Sequence, residues 1–222
     1  MDRTDERRSY TLLLGSVTAS VVVLGIVRTG GVQLVAVNAL LGVSLLLSVR
    51  IAHAAPPVAA LALGIAVLGF VAGVVLAVTG STDGAGARLM AVLLVVFGPP
   101  AVALGVVRHL RATEEVREEA VMGVLALYML VGLLFAFVFG AIDRLGDGSF
   151  FADGVPATGS NCVYFSFTTL TTTGYGDLSA RSGLGHTLSV FEALLGQIYL
   201  VTVVSLIVSN LGRRDPPQRA PS

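Results

Sequence analysis

The sequence predicts an all-α membrane protein: six transmembrane helices plus one re-entrant half-span helix with an irregular loop behind it. Three observations predict this. The 222 residues are 55% hydrophobic and only 13% charged, with a mean hydropathy of +0.86, whereas a soluble domain carries about a quarter charged residues. Uncharged runs of the length a membrane helix needs, about 17–25 residues, recur along the chain. Near the end, between two such runs, stands "TTTGYGD" at 171–177. Its glycines and hydroxyls do not suit a helix that faces lipid.

The elements follow in order. Residues 1–9 read as a cytoplasmic leader; "MDRTDERR" holds acidic residues, and the apolar run behind it is too long and lacks a clear small-residue cleavage site, so a retained first helix is expected rather than a signal peptide. Runs at 10–27, 31–49, 56–79 and 89–107 predict a four-helix membrane domain over 10–107. Pro99 and Pro100 should kink the fourth helix. Small residues such as Gly64, Gly69 and Gly73 suit close helix packing. Residues 108–119 carry alternating Arg and Glu and predict an interfacial linker helix or a solvated face. The runs at 120–142 and 193–212 complete the six, the last starting near Leu184 and taking Glu192 inside it. Residues 213–222 are Pro-rich and are expected to be a disordered cytoplasmic tail, too short for a ligand-binding module.

The arginines set the orientation. Of 14 basic residues, Arg28, Arg88, Arg144 and Arg181 fall on one side and the rest on the side of the termini. Both termini are therefore expected in the cytoplasm, with the protein in the plasma membrane. The segment from Asp143 to about Gly185 then faces outward.

Within that segment, "SNCVYFSFTTL" (160–170) has the length of a helix that enters the bilayer without crossing it, with Ser160 or Asn161 as N-cap. The chain must return through "TTTGYGDLS". Non-helical backbone at membrane depth is tolerated only where its carbonyls line a cavity or bind something. Glycines on both sides of Tyr175 let successive carbonyls point the same way. Stacked carbonyls can replace the hydration shell of a cation.

"TTLTTTGYGD" resembles the selectivity filter of the potassium channels, whose usual core is Thr-Val-Gly-Tyr-Gly. The resemblance covers the whole two-helix pore module over 120–212: an outer span, a pore helix, the filter and an inner span. It implies that the carbonyls of Thr172, Thr173, Gly174, Tyr175 and Gly176, with the Thr172 hydroxyl, form the path of permeant K+. It implies that the Tyr175 ring braces the filter against pore-helix aromatics such as Tyr164 and Phe165. It implies a homotetramer, since one chain supplies one filter strand. Two positions depart from the family pattern. Thr173 stands where Val or Ile is usual. Thr168 stands where some members carry a carboxylate that pairs with the aspartate after the filter, so Asp177 is expected to be held differently.

On this reading Gly196 in the last span is either a gating hinge or a close-packing position. Glu192, four residues earlier on the same face, is expected behind the filter with Thr168 or Thr169 as partner. Burial without a cation beside it favours the neutral acid, which could donate a hydrogen bond. Six-span members of the family often carry a voltage sensor, which needs several arginines along one helix. The fourth run, "LMAVLLVVFGPPAVALGVV", has none, and the first three hold no acidic countercharges. Steep voltage gating is therefore not expected. Asp83, Asp143, Asp147, Asp153 and Asp177 all fall outside, where they would gather cations or simply be solvated.

The remaining features exclude more than they add. Net charge is zero, so nothing points to nucleic acid. Cys162 is the only cysteine, and His53, His109 and His186 are scattered. No nucleophile, base and acid constellation appears, so neither an enzyme nor a cofactor is expected. The expected partners are K+, membrane lipid and further copies of the chain, with a separate regulatory partner left open. A weakly selective cation channel is the near alternative. A pore-like subunit of a potassium transporter, or a membrane scaffold, is the alternative of another class.

Overall fold

In a computed structural model, the structure describes residues 3–27, 31–51, 118–146 and 148–211, with residues 60, 63, 64, 67, 68, 71, 74 and 75 between them. All the regular elements among these residues are helical. They are α1 (Arg3–Ile26), α2 (Gly31–Ile51), α3 (Glu118–Leu145), a one-turn 3-10 helix (Ala152–Gly154), α4 (Gly159–Leu170) and α5 (Gly183–Leu211). The runs expected as third and fourth spans lie outside the described residues apart from those single positions. So do Asp83, Asp147, His53, His109 and the tail. The described part is that of a membrane protein: Arg7–Ile26, Val121–Leu145 and Gly183–Thr202 are long and apolar enough to cross a bilayer, and α2 holds a shorter apolar stretch, Val35–Leu47.

Length separates the elements into two kinds. α3 has 28 residues and α5 has 29, so each reaches about 42 Å at 1.5 Å per residue, more than the ~30 Å hydrocarbon core. α4 has 12 residues and reaches about 18 Å, roughly half of that core. Its N-cap is Thr158, whose hydroxyl accepts from the Asn161 amide at 3.2 Å. This corrects the expected cap. The backbone turns helical at Gly159, so Ser160 and Asn161 already lie inside the helix. Their side chains reach elsewhere, Ser160 Oγ to the Gly25 carbonyl at 3.0 Å and Asn161 Nδ2 to the Pro156 carbonyl at 2.9 Å.

α1 packs on α2, α3 and α4, so the first helix is part of the wall around the half-span helix. Its contacts are polar as well as apolar. Ser16 and Ser44 share a 2.7 Å hydrogen bond between α1 and α2, and Gln33 Nε2 donates to the Leu24 carbonyl at 3.3 Å. Thr11 and Thr18 donate to the sulfurs of Met122 and Met129, at 3.4 and 3.6 Å. Both members of that second pair lie seven residues further along, so α1 and α3 run in the same direction with a heptad seam between them. Where both surfaces are apolar, such hydroxyl contacts and close packing hold helices together in lipid better than burial does.

An aromatic cluster joins α3, α4 and the loop between them. Phe139 stacks on Phe150 with ring centroids 4.8 Å apart, and Phe165 meets Phe139, Phe150 and Phe151 edge-on at 5.3, 5.9 and 5.3 Å. The loop is closed against the chain leaving the 171–177 stretch. Ala152 N donates to the Ser179 carbonyl at 2.9 Å, and Arg181 N to the Phe150 carbonyl at 2.8 Å. Asp143 Oδ1 accepts from Phe150 N at 2.8 Å, which gives this carboxylate a structural role.

Candidate functional site

The site begins where α4 ends. Leu170 is the last helical residue, and the next turn stays tied to the helix: Thr172 N donates to the Thr169 carbonyl at 2.9 Å. Then the Thr168 carbonyl accepts twice, from Thr173 N at 2.8 Å and from Gly174 N at 3.1 Å. Thr168 thus supports the loop through its backbone. Its hydroxyl is turned back to the Phe165 carbonyl at 3.0 Å.

Beyond this anchor the backbone alternates in handedness. Thr172, Gly174 and Gly176 have φ of 56°, 50° and 81°, while Thr173 and Tyr175 between them are not in the positive region. In an ordinary strand all φ are negative and successive carbonyls point to opposite sides. The alternating signs depart from that pattern at every second residue of 172–176. Glycine takes positive φ at little cost. Thr172, being β-branched, does so under strain and must be held there by its surroundings. The flanking hydroxyls help: Thr171 Oγ1 donates to the Phe167 carbonyl at 2.6 Å and lies 2.9 Å from Thr173 Oγ1. Residues 171–177 are exposed in the single chain.

The aromatic expected beside Tyr175 is one of the two. Tyr164 and Tyr175 stack nearly parallel, 5° apart in plane, with centroids at 6.2 Å. Phe165 is not there; it lies in the buried cluster with Phe139, Phe150 and Phe151. The correction follows from helical period. Neighbouring residues point about 100° apart, so both cannot face one loop. Tyr164 also holds the residue after the filter-like stretch. Its phenol is directed at the Asp177 carboxylate, whose interaction with it pushes the phenol pKa up. That is where Asp177 goes in the absence of a carboxylate at Thr168.

Behind α4 runs α5. Glu192 is 0% exposed. Its partner is Ser166, not Thr168 or Thr169 as expected: Ser166 Oγ lies 2.5 Å from Glu192 Oε1 and 2.6 Å from the Gly132 carbonyl of α3. The register explains the difference. Ser166 meets Glu192, and four residues on in both helices Leu170 meets Gly196. Thr168 and Thr169 lie off this i, i+4 line. The approach at Gly196 is so close that a Cβ there would stand 2.1 Å from the Leu170 oxygen. Gly132 of α3 is similarly tight, its virtual Cβ 2.8 Å from Phe167. The Leu170 carbonyl is capped from α3 by the Tyr128 hydroxyl at 3.1 Å. Tyr128 stacks near Tyr199, whose hydroxyl returns to the Val124 carbonyl at 2.5 Å. Ser166, Gly132 and Tyr128 were not singled out from the sequence. A serine inside a short helix and a glycine inside a long one carry no local signal of the helix they will touch.

Residues 123–213 match the model of a family described as ion channel. The match runs from α3 through α4 and the exposed loop to the end of α5. Neither the curated proteins nor the solved structures hold a match to the chain.

Proposed function

We propose that the chain is a subunit of a potassium-selective channel, a homotetramer that conducts K+ passively through a central pore. The observation that carries this reading is the alternating backbone of Thr172–Gly176. That stretch is exposed and anchored at the end of a half-span helix, and backbone of alternating handedness can turn its carbonyls to one side. Unpaired carbonyls at membrane depth need a partner, and a dehydrated cation is one that a ring of them can bind. The match of 123–213 to an ion channel family supports the same reading.

A ring needs more than one strand, and the surface of the single chain supports assembly. Tyr175 is 71% exposed. On α5, Leu184, Phe191, Leu194, Ile198 and Val201 are exposed at helical spacing. Copies arranged about an axis would bring the carbonyl rows together and cover these side chains. The C-terminal end of α4 would then point its partial negative charge at the cavity below the rings, favouring a cation there. Asp177, at the outer end, adds a carboxylate from each copy.

The remaining finer readings belong to the same proposal: six spans per subunit, both termini cytoplasmic, Gly196 as either a hinge or a close-packing position, and no steep voltage gating. Moving one charge through the field is worth about 2.3 kcal/mol per 100 mV, and the fourth span offers no row of arginines to move. The test is purified protein in liposomes under opposed potassium and sodium gradients. A reversal potential near that for potassium supports the reading. One midway between the two ions favours a weakly selective cation channel, and no current at all points to the transporter-subunit or scaffold reading. A steep conductance–voltage curve in symmetric potassium removes the claim about voltage.

A further inference from the structure

The contact behind the filter constrains a proton. Ser166 Oγ makes two short oxygen contacts, 2.6 Å to the Gly132 carbonyl and 2.5 Å to Glu192 Oε1. Oxygens that close must share a proton. A serine hydroxyl has one proton and can donate it once. The Gly132 carbonyl has none to give, so Ser166 must donate to it. The proton between Ser166 and Glu192 must then belong to the carboxyl. The other carboxyl oxygen, Oε2, is buried without a hydrogen-bond partner among the described residues. An ionised carboxylate would leave half a charge on that oxygen with no donor. A neutral acid leaves only a carbonyl oxygen, which is far less costly to bury.

The helices α3 and α4 pack against α5. From α3, Tyr128 is the titratable group near enough to sense Glu192. From α4 the group facing it is the Ser166 hydroxyl. On α5 itself Tyr199 stands beside Tyr128. Among the described residues no arginine or histidine acts on the carboxyl.

We propose that Glu192 is a positioning residue that works as a neutral acid: it donates to Ser166, Ser166 donates to Gly132, and the chain of two protons locks α4 between α3 and α5. Ionising Glu192 in alkaline medium breaks the first link and weakens conduction. The route to the filter is short. Ser166 lies half a turn before Thr168, whose carbonyl receives the amides of Thr173 and Gly174. A shift of α4 therefore moves the rows that would bind the ion. The proposal rests on the channel reading above and adds its regulation by pH.

The experiment uses the full chain in liposomes, with potassium flux measured from neutral to strongly alkaline pH for wild type, Glu192→Gln and Ser166→Ala. Glutamine keeps a donor to Ser166 but has no proton to lose. Wild-type flux is expected to fall about tenfold over that range, a shift of about 1.4 kcal/mol in the conducting population. Glu192→Gln should be flat, although Tyr128, Tyr164 and Tyr199 remain. Ser166→Ala should lower flux already at neutral pH. A second readout needs no flux: the infrared carbonyl stretch of a protonated carboxyl, present in wild type at neutral pH and lost in Glu192→Gln. Flux in all three proteins with one shared pH profile overturns the Glu192 proposal and leaves the channel reading intact. Absence of the infrared band overturns it as well. A wild type that passes no potassium at any pH overturns the channel reading itself, and with it the regulation.

Discussion

The two faces of α4 are built in opposite ways. On the side of α3, Phe165 is buried against Phe139, Phe150 and Phe151, and the ring contacts close within one chain. On the side of the loop, Thr172–Gly176 is exposed, bent into alternating handedness, and stacked only through the Tyr164–Tyr175 pair. The first face is stable by its own packing. The second is held in a conformation it would not choose alone, by hydrogen bonds to the end of a helix that the first face fixes. A short helix that is rigid on one side can present a strained backbone on the other. That division predicts that substitutions on the packed face act on stability, and those on the open face act on selectivity.

The largest effect is expected from Phe165→Ala. It removes the ring that touches three others, at about 3–5 kcal/mol for a large buried aromatic. Thermal unfolding in detergent should shift downward strongly. Any protein that survives should keep its preference for potassium over sodium. A lost preference with unchanged unfolding would break the division.

Gly196→Ala comes next. The added methyl would stand 2.1 Å from the Leu170 oxygen, so α4 and α5 must separate, an overpacking cost of about 1–3 kcal/mol. Reduced flux and a lower unfolding temperature are expected together. Altered open probability with unchanged stability would instead mark Gly196 as a hinge.

Gly174→Ala is expected to cost less stability and more function. Holding alanine at positive φ costs about 1–2 kcal/mol in each strand, and no atom of the chain lies within 4 Å of the added methyl, so no steric clash adds to it. The potassium preference should fall about tenfold, since that factor corresponds to about 1.4 kcal/mol. Unfolding of the subunit should hardly move. An unchanged reversal potential would show that these carbonyls do not select the ion.

The smallest effect is that of Tyr164→Phe. The ring and its stacking on Tyr175 remain, while the hydroxyl that meets Asp177 is lost. Because the carboxylate pushes the phenol pKa up, the phenol keeps its proton below its ordinary titration range. The contribution of this interaction is thus fully present at neutral pH and is lost only as pH rises through the raised value. Stable conduction over long recordings should shorten modestly in the variant. An increase in stability would show that Asp177 needs no such partner.

How much of this was legible in the chain follows from the range of the forces involved. Run length alone separated the spanning helices from the half-span one, because 12 residues cannot cross what 28 can. The spacing of Gly174 and Gly176 announced a backbone with positive φ, because only glycine adopts it freely. A lone glutamate in an apolar run announced a buried, partnered carboxyl. These are local properties, fixed by each residue and its near neighbours. What tertiary structure decided was the partner in each case. Glu192 meets Ser166 and not Thr168 or Thr169, because the crossing of α4 and α5 is set by the glycine at 196 and by Leu170. Phe165 turns to the α3–α4 loop and Tyr164 to Asp177, because Phe139, Phe150 and Phe151 occupy one side of the helix. Thr158 caps α4, two residues before Ser160, because the backbone already turns helical at Gly159. Helical period says which residues share a face. It does not say what that face will meet, since that depends on where two axes cross, and a crossing is a property of both surfaces at once.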